Sequence, residues 1–334
     1  MKRGIWEAFK VFGPLGLVVG LVMGGVGCTT ELHPELERDY QTQGGKADQL
    51  VFSDGTLLVI DEDLEVDEDV DAPLHSVESD QRDLCNGEFI SMEAVEEMLI
   101  LTELTDYETV YSIFDRIDRI AALFEACNDP WGMFPTAYRH ITRRIIRAID
   151  GEEIGSEDWS RAIVLDFAGR YLENLRAVLT NNEPSYAWKH YYYLADRSDV
   201  SRVRAVVVAM VTHLTLDLSY SLVAIGSTED NKDDYFVLGE LMIEITPDFI
   251  EDLRFYYDAD AEAILNGFFF GEWVDGAFGA DTTITLSYQT IRTKSWNNRW
   301  LIENGWEWMA KSEIYSAFWA IDGVLASLDA SGAI

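Results

Sequence analysis

An apolar run from Val203 to Gly226, VRAVVVAMVTHLTLDLSYSLVAIG, is the longest outside the N-terminus, and His213 and Asp217 stand inside it. From Thr212 to Leu222 polar and apolar residues alternate strictly, the period of a half-buried strand. Yet Val207, Val211, Leu214, Leu218, Leu222 and Ile225 also fall at three- and four-residue intervals, and no internal Gly or Pro breaks the run. A stretch this long exceeds an ordinary strand several times over, so the pattern predicts a buried helix. Both readings place His213 and Asp217 on one face. Only a helix brings them within roughly 6 Å; an extended strand would hold them about 13 Å apart.

The same helical spacing recurs on both sides. MEAVEEMLILTEL and residues 107–126 carry it, and Asn128-Asp129-Pro130 breaks it. Residues 132–149 form an amphipathic helix with Phe134, Tyr138, Ile141, Ile145 and Ile149 on one side and Arg139, Arg143, Arg144 and Arg147 largely off it. This basic stripe is expected to pair with neighbouring carboxylates rather than to hold phosphate. Asp158-Trp159 opens a further helix that ends at Asn181 to Pro184, and Asp233-Asp234 precedes another. Residues 284–303 and 306–328 are two closing helices separated by Asn304-Gly305. They carry Trp296, Trp300, Trp306, Trp308 and Trp319, and such a stripe is more often core or an intramolecular lid than a sugar platform. Residues 266–283, rich in Gly and aromatics, read as a loop over the bundle.

N-terminal to the helices the period changes. LVFSDGTLLVI holds two short β-type runs around Asp54-Gly55, a hairpin signal. DEDLEVDEDVD follows, with Val66 where a calcium loop of the EF-hand type needs glycine, and reads as a solvated spacer. The expected fold is therefore all-α: a compact helical bundle around a buried central helix, with a small β-hairpin and an acidic segment before it. Three parts are expected: a signal segment over 1–27, a tether with hairpin and acidic run over 28–90, and a helical domain over 91–330.

Charge narrows the partners. The chain of 334 residues carries a formal charge of −35, which repels phosphate backbones and makes nucleic acid an unsuitable partner. Lys2 and Arg3 precede an apolar stretch from Val11 to Gly27, the layout of a secretory signal. Gly25-Val26-Gly27-Cys28 resembles the lipobox of bacterial lipoproteins, which implies lipid on Cys28, an extracytoplasmic chain anchored to the membrane, and outer-membrane sorting in a host with two membranes. An uncleaved anchor is the rival reading. Cys85 and Cys127 then remain as a pair suited to one disulfide in an oxidising compartment.

The order of features from residue 107 to 303 resembles a bacterial family, the domain of unknown function numbered fifty-nine ninety-five. The matching signs are MFPTAYRHITRRI, FAGRYLENL, Ala187-Trp188, His213 with Asp217 and Leu218, Asp233 or Asp234, and Arg292 with Trp296. The resemblance implies an all-helical domain and no established activity. The family's central helix tends to carry asparagines where this chain has Val211 and Thr215.

His213 and Asp217 support three kinds of chemistry. One helical turn apart they suit a single divalent metal, with Asp233, Asp234 or Glu240 completing the shell of a metal-dependent hydrolase. As acid and base, Asp217 would orient His213, with Thr212, Thr215, Ser219 and Tyr220 as nearby hydroxyls. As structure, the pair would hydrogen-bond to closing-helix groups such as Arg292. The sequence favours an envelope protein that binds or scaffolds, with the hydrolase and a glycan-binding adhesion module built on the aromatic C-terminal region as alternatives. The protein partner stays open.

Overall fold

The computed structural model describes residues 49–51, 57–59, 84–86, 89–265 and 284–334. The signal segment with Cys28, the tether to residue 48, the acidic run and the 266–283 loop lie outside them. The chain is all-α. Two short antiparallel pairs precede the helices: β1 (Gln49–Val51) with β2 (Leu57–Val59), in register at Leu50 and Leu58, and β3 (Cys85–Asn86) with β4 (Phe89–Ile90). The first pair flanks Asp54-Gly55 in sequence, as the two β-type runs on either side of that dipeptide predict.

Helices follow in the order α1 (Met92–Leu101), α2 (Val110–Glu125), α3 (Met133–Asp150), α4 (Glu157–Leu179) and α5 (Tyr186–Ala195). The central helix is α6 (Arg202–Ala224). Then come α7 (Lys232–Glu244), α8 (Thr246–Tyr257), the single turn α9 (Glu262–Leu265), α10 (Ile284–Glu303) and α11 (Glu307–Ala330). Local chemistry sets several ends. Ser91 accepts from Ala94 N to start α1, and Thr109 with Ser112 closes a reciprocal capping box on α2. Asn181, at φ 57°, turns the chain out of α4 in the left-handed conformation that asparagine tolerates.

α6 is apolar and long enough to cross a membrane, but 94% of its most apolar window is buried by other helices, so it is a core helix here. Its N-terminal half packs on α5 and α11, and its C-terminal half on α4 and α10. One feature departs from the regular helix that the spacing predicts: His213–Asp217 is a π turn, with Leu218 N donating to His213 O. The hydroxyls in and around it turn inward on the helix's own carbonyls. Thr212 donates to Val208 O, Thr215 to Val211 O and Ser219 to Thr215 O, at 2.6–2.9 Å. Bonding of this kind satisfies buried polar atoms and loosens the regular ladder nearby.

The α2–α3 junction is pinned twice. Cys127 is bonded to Cys85, Cα to Cα 5.4 Å, tying the β3–β4 pair to the end of α2. Gly132 lets the short turn before α3 approach α2 and α8: a Cβ there would stand 2.3 Å from both Phe124 Cβ and Tyr257 Oη. Between these helices Arg139, only 2% exposed, donates to Glu125 Oε2 at 3.0 Å and Asp252 Oδ2 at 2.9 Å, while His140 Nε2 lies 2.7 Å from the same Asp252 oxygen. Arg144 pairs with Glu153 and Glu244 at the surface. The basic stripe is thus matched by carboxylates at two depths. Burial pushes the Glu125 carboxyl up to about 7, despite Arg139 and Thr136 beside it. An acid raised in the fold takes up protons that the unfolded chain has already lost, so Glu125 costs stability as pH rises from about 4.5 towards 7.

Candidate functional site

The polar pair inside α6 is enclosed by aromatic side chains from three other helices. His213 and Asp217 are 3% and 1% exposed. His213 Nδ1 lies 2.8 Å from Asp217 Oδ2, which also accepts from Trp188 Nε1 at 2.8 Å. Since Trp188 can only donate, Oδ2 is an acceptor shared by two donors, and the imidazole proton sits on Nδ1. Phe167 of α4 stacks on the imidazole at 3.5 Å and 11°. Phe134 and Tyr138 of α3, and Trp188 of α5, present themselves nearly edge-on at 5.1, 4.8 and 6.0 Å. The π turn bulges α6 at this point and the four rings close around the bulge.

Burial holds His213 below the ordinary imidazole range, against the pull of Asp217, so the ring is neutral near pH 7. Burial and the neighbouring Asp217 push the Tyr138 phenol up. Two atoms of the pair have no partner: His213 Nε2 and Asp217 Oδ1. His213 lines a void of about 20 Å³ with Phe134, Tyr138, Ile141, Phe167, Met210, Leu214, Met242 and Phe249. A second void of about 30 Å³ shares Tyr138, Ile141, Phe167 and Met242 and continues to Tyr235 and Arg292. Both are apolar slots between α3, α4, α6 and α7.

Neighbouring polar residues hold the helices rather than the pair. Arg170 Nε donates to Asp166 Oδ1 at 2.7 Å and Ser221 Oγ at 2.9 Å, joining α4 to α6. Asn174 Oδ1 accepts from Ser185 N at 2.8 Å and so fixes the start of α5, on which Trp188 rides.

The other sequence candidates lie elsewhere. Arg292 does not join Asp217; its guanidinium lies over the Tyr235 ring at 4.1 Å and donates to Tyr235 O. Space for it comes from Gly239, where a Cβ would stand 2.7 Å from Arg292 Nε. The expected His–Asp–Arg network is therefore corrected to His–Asp–Trp, because the bare flank of α7 at Gly239 takes the guanidinium on the α10 side. Trp296 packs on Tyr235 at 4.9 Å and donates to Glu229 Oε1 at 3.2 Å. Asp234 accepts from Gly155 N at 2.8 Å, while Asp233 and Glu240 are exposed. Among the described residues no three His, Cys, Asp or Glu side chains gather as a metal donor set. Sequence reasoning missed the role of Trp188, although the Ala187-Trp188 pair stood among the residues that carry the family resemblance.

The model of a family described as a family of unknown function, DUF5995, matches residues 110–313. No curated protein and no solved structure matches the chain.

Proposed function

The chain belongs to DUF5995, and from that premise we propose that it is a secreted cell-envelope protein, held at the membrane by lipid on Cys28, whose helical domain binds or scaffolds. The observation that carries this reading is the closure of His213. The residue is 3% exposed and lines only an apolar pocket of about 20 Å³, room for about one water and for no substrate. A pair enclosed in this way serves the fold: it locks α5 to α6 through Trp188. The bond between Cys85 and Cys127 supports an oxidising compartment. The acidic composition supports a solvated surface.

A metal-dependent hydrolase is the second reading, and the unpartnered His213 Nε2 and Asp217 Oδ1 favour it. It requires at least one more donor beside the pair. Asp233 and Glu240 are exposed and Asp234 is committed to Gly155, which is why the binding reading is preferred.

Fractionation of cells expressing the full chain tests the anchor. The parent is expected in the membrane fraction, and Cys28→Ser is expected to leave it for the soluble fraction or to remain as the longer, unprocessed precursor. A parent found wholly in the cytosol, or a Cys28→Ser chain processed and retained like the parent, contradicts the anchored reading.

A further inference from the structure

The sequence directs attention to the tryptophans of the C-terminal helices, yet the structure joins only one of them to an exposed aromatic strip, and most of that strip comes from α5. Tyr186, His190 and Tyr193 fall at i, i+4 and i+7 on α5; Tyr315, Trp319 and Asp322 repeat the interval on α11. Residues at this spacing share one helix face. The two faces meet ring to ring: Tyr186 contacts Tyr315 at 6.2 Å and Trp319 at 5.8 Å, and His190 contacts Trp319 at 5.1 Å and Tyr193 at 6.4 Å. Packing buries Tyr315, at 9% exposure, but not the rings around it. Tyr186, Tyr193 and Trp319 remain 41%, 54% and 42% exposed.

The strip is built from below. His190 Nε2 lies 3.0 Å from Asp322 Oδ2, and Arg204 of α6 donates to both Asp322 oxygens at 2.9 and 3.1 Å. Asp322 is buried, and burial is outweighed by His190 and Arg204, which hold its carboxyl low. His190 is thus fixed in orientation, and with Nε2 committed, Nδ1 is the ring atom left for a ligand. At the Tyr193 end Arg197 lies over the ring at 5.5 Å and donates to its hydroxyl at 2.6 Å.

Charge decides which ligand suits the strip. The cations at its edge are already matched: Arg197 by Asp199, and Lys189 by Glu183. In a chain of net charge −35 they offer no surplus positive charge to phosphate, sulfate or anionic lipid. Exposed ring faces carry negative quadrupole and attract the weakly positive C–H faces of a sugar, while histidine nitrogen and tyrosine hydroxyls bond its hydroxyl groups. A row of rings suits a row of pyranose units rather than one compact molecule.

We propose that the Tyr186–His190–Tyr193 face of α5, joined to Tyr315 and Trp319 of α11, is a binding strip for a neutral polysaccharide chain. It rests on the reading of the chain as an envelope binding protein and supplies the ligand class. Stacking on the rings gives affinity, and His190, held by Asp322, orients the chain.

The test is binding of the full chain, purified in mild detergent, to immobilised chitohexaose and cellohexaose. Heparin and phosphatidylcholine vesicles serve as the anionic and lipid comparisons. Trp319→Ala and Tyr193→Ala are each expected to weaken binding to the neutral oligosaccharide about tenfold, with unfolding temperature unchanged. Trp308→Ala, an exposed tryptophan outside the strip, is expected to bind like the parent. No binding to either oligosaccharide, equal binding by parent and strip variants, or binding confined to heparin or to vesicles overturns the proposal. A chain that fails here but fractionates with the membrane through Cys28 leaves the anchored reading standing and removes only the ligand.

Discussion

Asp217→Ala is expected to lower stability by roughly 3–5 kcal/mol and the unfolding temperature by on the order of 10 °C. The cause is specific. Removing the carboxylate leaves Trp188 Nε1 and His213 Nδ1 without the acceptor they share at 2.8 Å. Both lie where water cannot replace it, since Trp188 is fully buried and His213 nearly so. Each orphaned donor then carries its desolvation penalty. Thermal unfolding of Asp217→Ala in the parent and in a Trp188→Phe background separates this from generic damage. If Asp217 works through Trp188, its loss costs about 1–2 kcal/mol less where the indole donor is already gone. Equal cost in both backgrounds would mean that the Trp188 bond contributes nothing.

Loss of the Cys85–Cys127 bond has the second large effect. It closes 42 residues of sequence separation, which on the chain-entropy account stabilises by about 4 kcal/mol. The consequence is also local. Ser91 N donates to Leu84 O and closes the β3–β4 strip on itself, while the covalent tie and the bond from Ile90 N to Asp129 Oδ2 hold it on the α2–α3 junction. Cys127→Ser is expected to unfold at lower denaturant and to be cut by protease between residues 84 and 91 before the helical core is attacked. A proteolysis pattern identical with and without reductant would contradict this.

The all-helical fold was legible because apolar spacing and length act on the local chain. α6 could be read as a helix from its 23 residues alone, and the ends of α4 and α10 from Asn181 and Asn304-Gly305. The π turn was not legible. Nothing in HLTLD distinguishes five residues that span one wide turn from five in a regular helix. Contact at long range was the harder part. Trp188 meets Asp217 across 29 residues, and its indole looks in sequence like any core aromatic. Arg292 was the natural counter-charge for Asp217 by type, yet Gly239 gives the guanidinium room on α7 instead. Arg139 shows the same limit. Its pairing with carboxylates was legible, but not that Glu125 and Asp252 reach in from α2 and α8 to meet it at 2% exposure. The C-terminal tryptophans divide: Trp296 is core, while Trp300, Trp306, Trp308 and Trp319 stay exposed.

His213 is a buried, neutral hydrogen-bond donor that holds the fold together. The direct measurement is the imidazole nitrogen NMR spectrum of His213, assigned by comparison with His213→Gln, recorded from pH 5.5 to 8 with and without zinc. Because burial holds its pKa below the ordinary range, the neutral tautomer protonated at Nδ1 is expected at pH 7 and above, with any titration midpoint below 6.5 and no change on adding zinc. A depressed histidine contributes stability that is present above the unfolded value of 6.5 and is lost as pH falls below it. A ring that titrates near 6.5 in the folded protein, or whose Nε2 signal shifts on stoichiometric zinc, would contradict the account and restore the pair as a metal or acid–base site.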